Sequence, residues 1–214
     1  MGLEARMPPL LPDSDFPNND AHDADHNLEQ SPPPSPLPPL TNTPTSHPSS
    51  CLTLSAPLLT HLSSLLPPTA LTLSIGSGTG ALEAHLLALS HNIIGLEVSP
   101  SPNKYLPQAY HCVVTGSRFL DPMAAEAEVW MFVYPRRVGL VEEYIKEYGQ
   151  SVRKIVWAGP RGDWEDYKGV FEGWGVQVWN AEDVGGTAWE MMAVAKRKGA
   201  TLVDGTGDST WDKR

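Results

Sequence analysis

From about Leu52 onward, apolar positions fall in short blocks that switch between the helical and the extended period. Leu52–Leu66 places leucines at 54, 58, 62 and 65, a helical spacing that Pro67-Pro68 ends. Ala70–Ile75 alternates as a strand and runs straight into Gly76-Ser77-Gly78-Thr79-Gly80. Ala81–Leu89 then reads as a helix with Leu82, Leu86 and Leu89 on one face, and Asn92–Val98 as a short continuous apolar strand. Such a run is expected where both faces of a parallel sheet are covered. The alternation continues with a proline-started helix over Ser99–Gln108, a strand over Tyr110–Thr115 and a short helix over Pro122–Ala127. A strand follows over Glu128–Tyr134, an amphipathic helix over Val138–Tyr148, a strand over Lys154–Ala158 and a helix over Trp164–Glu172. Val176–Asn180 and Trp189–Ala195 close the pattern as two strands with no helix between them, hence an antiparallel hairpin around Gly185-Gly186. Strand–helix alternation of this kind predicts an α/β, Rossmann-like three-layer sandwich, mostly parallel, with an antiparallel C-terminal pair.

The first fifty residues lack that periodicity. They hold twelve of the 21 prolines and seven acids against one base, Arg6. A segment with so little apolar surface cannot offset the entropy of ordering it, so residues 1–50 read as a disordered Pro/acid-rich tail. Its PxxP spacing (Pro36, Pro39) and the Ser-Pro and Thr-Pro steps at Ser31, Ser35 and Thr43 are candidate contacts for a protein partner. The domain is expected over residues 51–197, followed by a polar tail over 198–214.

Charge and composition narrow the classes. The net charge is −10, and neither half carries the basic stripe that neutralises phosphates, which argues against a nucleic-acid partner. No stretch is long and apolar enough for a membrane span, and the N-terminus has no signal-peptide core. Two cysteines, Cys51 and Cys112, make no framework, which fits the reducing cytoplasm or the nucleus, and Cys112 in its apolar run reads as a core thiol. The seven histidines show no metal-ligand spacing, so no metal is expected.

The chemistry concentrates where the first strand meets its helix. Gly76 permits a tight turn, Gly78 lets a ligand approach the backbone, and Gly80 permits close helix packing. The helix N-terminus faces the same side. Glu97 lies 21 residues beyond Gly76, at the end of the neighbouring strand. A carboxylate there can accept both hydroxyls of a ribose.

Leu73–Gly80 followed by Ile94-Gly95-Leu96-Glu97-Val98-Ser99 resembles the first two motifs of class I S-adenosylmethionine-dependent methyltransferases, and the resemblance extends over residues 52–197. It implies S-adenosylmethionine as cofactor, with Ser74, Gly76, Ser77, Gly78, Gly80, Glu97, Val98 and Ser117 around it. Two positions depart from the pattern: the acid usual before the first glycine is Ser74, and the acid of the third motif is Ser117. Neutral partners contribute less, so affinity is expected to be lower by about 1–3 kcal/mol. In the fourth motif, Met131–Arg137, Tyr134 is a candidate to orient an acceptor and Arg136 to clamp a carboxylate or phosphate; a solvated helix start is the plainer reading of Arg136 and Arg137. Asp163, after the fifth strand, is either a base or the cap of the next helix. His111 is a further candidate base. Trp157, Trp164, Trp179 and Trp189 either wall an acceptor or fill the core.

Methyl transfer to a small-molecule acceptor is the function this implies. Two alternatives stand beside it: a non-catalytic Rossmann-like binding module, and an NAD(P)-dependent oxidoreductase, since Gly76, Gly78 and Ala81 also satisfy G-x-G-x-x-A.

Overall fold

A computed structural model describes residues 33–198. The strands are β1 (Thr45–His47), β2 (Ser50–Leu54), β3 (Thr72–Ile75), β4 (Ile93–Val98), β5 (His111–Val114), β6 (Val129–Val133), β7 (Lys154–Pro160), β8 (Gly175–Asn180) and β9 (Glu190–Lys196). The α-helices are α1 (Ala56–Leu65), α2 (Ala81–Ala88), α3 (Val138–Tyr148) and α4 (Trp164–Tyr167). β1 and β2 form a small antiparallel hairpin; the other seven strands form one sheet in the order β5-β4-β3-β6-β7-β9-β8. β5 to β7 run parallel, and β9 inserts antiparallel to both β7 and β8. The chain steps outward from β3 to β5 and then returns to β6 on the other side of β3. That reversal opens a crevice beyond the carboxyl ends of β3, β4 and β6.

Period-two alternation along the strands splits the core into two layers. Leu73, Ile75, Trp130, Phe132 and Ile155 face α3 and α4, packing on Val141, Tyr144, Tyr167 and Phe171. Val129, Met131, Val156 and Met192 face the other way, onto Leu58 and Leu62 of α1 and Leu82 and Leu86 of α2. No described helix is long and apolar enough to cross a membrane.

Several local readings change. The helix expected from Leu52 begins only at Ala56, because Ser55 is extended (φ −147°, ψ 163°) and its Oγ accepts from Leu58 N–H at 3.1 Å. Leu52 and Leu54 are buried strand residues whose spacing imitates a helix. No α-helix forms over Ser99–Gln108, where Pro100, Pro102 and Pro107 interrupt the ladder. There Asn103 bonds the backbone of Leu106 through both its oxygen (3.1 Å) and its nitrogen (2.9 Å), closing a side-chain turn instead. The Pro122–Ala127 and Trp164–Glu172 helices shrink to 3₁₀ turns and, for the second, the single α turn of α4.

The boundary at residue 51 also moves. Pro33–Ser50 lies against the domain: Ser35 N–H donates to Lys104 at 2.8 Å, Ala56 N–H to Thr41 at 2.8 Å, and Leu40 packs on the α1–α2 layer. Leu37, Pro38 and Leu40 are only partly exposed, and burying these few apolar groups on an existing surface is what composition alone does not reveal. Ser31 and the rest of the N-terminal tail, like the C-terminal tail from residue 199, lie outside the described residues.

Candidate functional site

The glycine loop leaves β3 with Gly76, Gly78 and Gly80 all in the left-handed region, at φ +83°, +57° and +77°. Most of its amides are already used. Gly76 and Ser77 N–H both donate to Leu96 O, at 2.8 and 3.1 Å, and Gly80 N–H donates to Ser77 O at 3.0 Å. Gly78 N–H donates to the Glu97 carboxylate at 2.6 Å, and Val98 N–H donates to the other carboxylate oxygen at 2.8 Å. The loop and the acid therefore meet, as their spacing implied. Each Glu97 oxygen accepts one backbone bond and keeps a further lone pair.

Beyond this junction lies a hollow of about 560 Å³ at the carboxyl ends of β3, β4 and β6. Gly76, Gly78, Glu97 and Val98 line one side, Val114, Ser117 and Phe119 another, and Tyr134 and Arg136 the far end. Its size suits a nucleoside-sized ligand. Phe119, 61% exposed at its rim, carries no motif and was not singled out by sequence. Cys51, exposed on β2, also reaches this hollow.

Ser74, Ser77 and Gly80 are placed differently from expectation. None lines the hollow. Gly80 caps α2, where a Cβ would meet Asn103 Oδ1 at 2.7 Å and Leu106 at 2.9 Å, so its role is close packing. Ser74 is buried beneath the loop, and its hydroxyl donates to Glu83 at 2.6 Å. Glu83, in the first turn of α2, is 2% exposed; burial pushes its carboxyl up to about 7, with Glu97 repelling its charged form. An acid absent from the strand is thus present one layer away. The signal was an acid three residues after Gly80, inside an otherwise apolar helix start.

Tyr134 follows β6 directly at φ +50°, a left-handed conformation that costs a non-glycine residue about 1 kcal/mol. Two bonds hold it: its N–H donates to Ala158 O at 2.7 Å, and its hydroxyl donates to Glu190 at 2.7 Å. Glu190 is fully buried at the start of β9 and also accepts from Thr53 N–H at 2.9 Å and Thr187 Oγ1 at 2.6 Å. Burial and the Glu190 carboxylate raise the Tyr134 phenol, keeping it protonated. This hub joins β2, β6 and β9, and no local motif announces it.

Next to the large hollow lies a second one of about 400 Å³, lined by Tyr134, Arg136, Trp157, Asp163, Asp166 and Tyr167 among others. Arg136 is exposed and lines both hollows, whereas Arg137 bonds Ser117 O at 2.7 Å and pairs with Glu143 at 3.2 Å. Asp163 is not a cap: it sits in a 3₁₀ turn continuous with α4 and makes no capping bond. His111 lines neither hollow. It is buried, its Nε2 lies 3.0 Å from Ser101 Oγ, and burial lowers its pKa, so what separates it from the candidate site is its position. Of the four tryptophans only Trp157 reaches either hollow; Trp164 and Trp179 pack at 5.2 Å on Trp157 and 5.3 Å on His61, and Trp189 is 60% exposed. Burial raises the half-buried Cys112 thiol, as for an inert core cysteine.

No protein-family model matches the sequence, and no curated protein matches it. Solved structures do. A TehB-like SAM-dependent methyltransferase from Corynebacterium glutamicum superposes with a TM-score of 0.53 at 15% identity, covering 66% of this chain and 88% of that one. The precorrin-6y C5,15-methyltransferase of Geobacter metallireducens gives 0.53 at 14% identity over 72% of this chain and 94% of its own. The methyltransferase domain of bacterial CtHen1 gives 0.50 at 15% identity, covering 65% and 94%. The chain has the class I S-adenosylmethionine-dependent methyltransferase fold.

Proposed function

We propose that this chain binds S-adenosylmethionine and transfers its methyl group to a small molecule. One observation carries the reading: Gly78 N–H and the Glu97 carboxylate meet at the wall of a nucleoside-sized hollow. The spare lone pairs of Glu97 suit a ribose diol, and Phe119 and Val114 supply apolar wall for a base. When bound, the cofactor supplies a methyl group already activated by its sulfonium. The chain's own task is then to hold the acceptor in line and to keep water out, with Tyr134 and Arg136 at the junction of the two hollows.

The same geometry disfavours a nicotinamide dinucleotide. A diphosphate needs free loop amides and a helix N-terminus unopposed by negative charge. Here the N–H groups of Gly76, Ser77 and Gly78 are bonded within the protein, and Glu83 and Glu97 both flank the start of α2. Calorimetry with S-adenosylmethionine, S-adenosylhomocysteine, NAD and NADP tests the choice: the first two bind and the nicotinamide cofactors do not. Binding of NAD or NADP alone would support the oxidoreductase, and binding of none the non-catalytic module.

A further inference from the structure

Within the glycine loop Gly76–Gly80 only Ser77 and Thr79 carry side chains. The Ser77 hydroxyl is buried without a hydrogen-bond partner among the described residues. Thr79 is the one loop side chain that bonds another element there: its Oγ1 donates to the carbonyl of Ser49, near the end of the proline-rich strap Pro33–Ser50. Ser49 Oγ in turn lies 3.0 Å from the Tyr105 hydroxyl, and Tyr105 N–H returns to Thr79 O at 3.2 Å. Lys104 N–H donates to the same carbonyl at 2.9 Å, and Lys104 O accepts from Ser35 N–H at the other end of the strap. These bonds close a circuit through the strap, the glycine loop and the proline-interrupted segment 99–107.

All three segments reach the wall of the larger hollow. The loop supplies Gly76 and Gly78, segment 99–107 supplies Pro100 and Pro102, and Cys51 directly follows the strap. Thr79 itself stands between Gly78, whose N–H meets Glu97, and Gly80, packed close to Asn103 and Leu106. Three glycines at positive φ leave a loop many conformations, so the one it holds is imposed by its contacts. Leu96 and Glu97 fix it from the β4 side, and the circuit through Thr79 fixes it from the strap side. The strap has little apolar surface of its own, with Leu37 and Leu40 partly buried, so its docking belongs to the low-stability end of the molecule. A contact that narrows the loop's ensemble is favoured in turn, and by the same free energy, by any ligand that needs the narrowed form.

We infer that the Pro33–Ser50 strap is an effector in cis of the larger hollow: through Thr79 it holds the glycine loop in the form that receives a ligand, and occupancy of the hollow in turn holds the strap. Thr79, Ser49 and Tyr105 are positioning residues, and none of them lines the hollow. Calling that ligand a nucleoside cofactor rests on the methyl-transfer reading; the hold of the strap on the loop does not.

The test is amide hydrogen exchange of the full chain followed by NMR, alone and with S-adenosylhomocysteine, in the wild type, Thr79→Val and Thr79→Ser. Gly78 N–H reports the loop, Ser35 and Ala56 N–H the strap through their bonds to Lys104 O and Thr41 O, and Trp130 N–H in β6 the core. Without ligand, Thr79→Val is expected to speed exchange at Gly78, Ser35 and Ala56 at least fivefold while Trp130 keeps its rate. Thr79→Ser, which retains the hydroxyl, stays within twofold of the wild type. S-adenosylhomocysteine slows the two strap reporters at least threefold in the wild type but not in Thr79→Val, whose affinity by calorimetry falls at least fivefold. Tyr105→Phe weakens that affinity at least twofold alone and by nothing further when added to Thr79→Val. The inference is overturned if Thr79→Val leaves Gly78 exchange unchanged, if Trp130 accelerates equally, if Thr79→Ser behaves like Thr79→Val, or if S-adenosylhomocysteine binds Thr79→Val as tightly as the wild type. Failure of S-adenosylhomocysteine to bind the wild type sinks the cofactor reading, and exchange in the free chain then decides the role of the strap alone.

Discussion

The two hollows at the carboxyl edge of the sheet share Tyr134 and Arg136 but differ in the rest of their lining. Around the larger one, the glycine-loop backbone is bonded before any ligand arrives: the amides of Gly76, Ser77 and Gly78 bond Leu96 and Glu97, and Tyr134 bonds Glu190. Around the smaller one, the exposed Asp163 and Asp166 make no side-chain bond among the described residues, and neither does Arg136, which lines both hollows. A wall whose backbone is already bonded selects by shape and by a few spare lone pairs. An unsatisfied wall selects by the charges the ligand brings. On the proposed reading, the larger hollow would seat the cofactor and the smaller one the acceptor.

The comparison can be broken where the first seat is anchored. Glu190→Ala leaves Thr53 N–H, Thr187 Oγ and the Tyr134 hydroxyl without their buried acceptor. The expected loss is about 4 kcal/mol of unfolding free energy by denaturant titration, together with release of Tyr134 from its left-handed conformation. A loss below 1 kcal/mol would show that the hub does not hold the seat.

Glu83 sharpens the contrast through pH. Its carboxyl is raised by burial from an ordinary 4.5 to about 7, so the folded state binds the proton more tightly than the unfolded chain. Its contribution is fully present below about pH 4.5 and is lost as pH rises through 7, a swing of about 3 kcal/mol. Glu83→Gln should flatten the stability profile over that window. Identical wild-type and variant profiles would mean that Glu83 is not the group that titrates.

Smaller effects follow. Phe119→Ala removes wall from the larger hollow only and is expected to weaken S-adenosylhomocysteine by about 1 kcal/mol in calorimetry. Arg137→Ala breaks an exposed ion pair with Glu143 and should cost less than about 1 kcal/mol of stability. A large effect there would mean that the bond from Arg137 to Ser117 O shapes the rim of the hollow.

The layered fold and the meeting of the glycine loop with Glu97 are legible because they are written locally. A β-period run meeting three spaced glycines, then an acid at the end of the next strand, needs no long-range information. The antiparallel closing pair is legible for the same reason: the connection between β8 and β9 is too short for a crossover helix and holds only the 3₁₀ turn Ala181–Val184. What was hidden depends on distant partners. Glu190 and Thr53 are 137 residues apart, Glu83 reads as an ordinary first-turn acid, and the β1–β2 hairpin lies in prolines that resemble a tail. Asp163 carried the composition of a cap but not the backbone, because a 3₁₀ turn runs into α4 without a break. An acid does stand close to Ser74 on another element, since Glu83 of α2 accepts from its hydroxyl, but neither residue lines the larger hollow.

The most direct test of the central claim is a calorimetric titration of S-adenosylhomocysteine into the wild-type chain and into Glu97→Ala, with near-ultraviolet circular dichroism confirming that the variant keeps its packing. The account predicts saturable binding to the wild type and at least a tenfold weaker complex with the variant. Equal affinity for the two folded proteins would remove Glu97 from the nucleoside seat and contradict the assignment of the larger hollow.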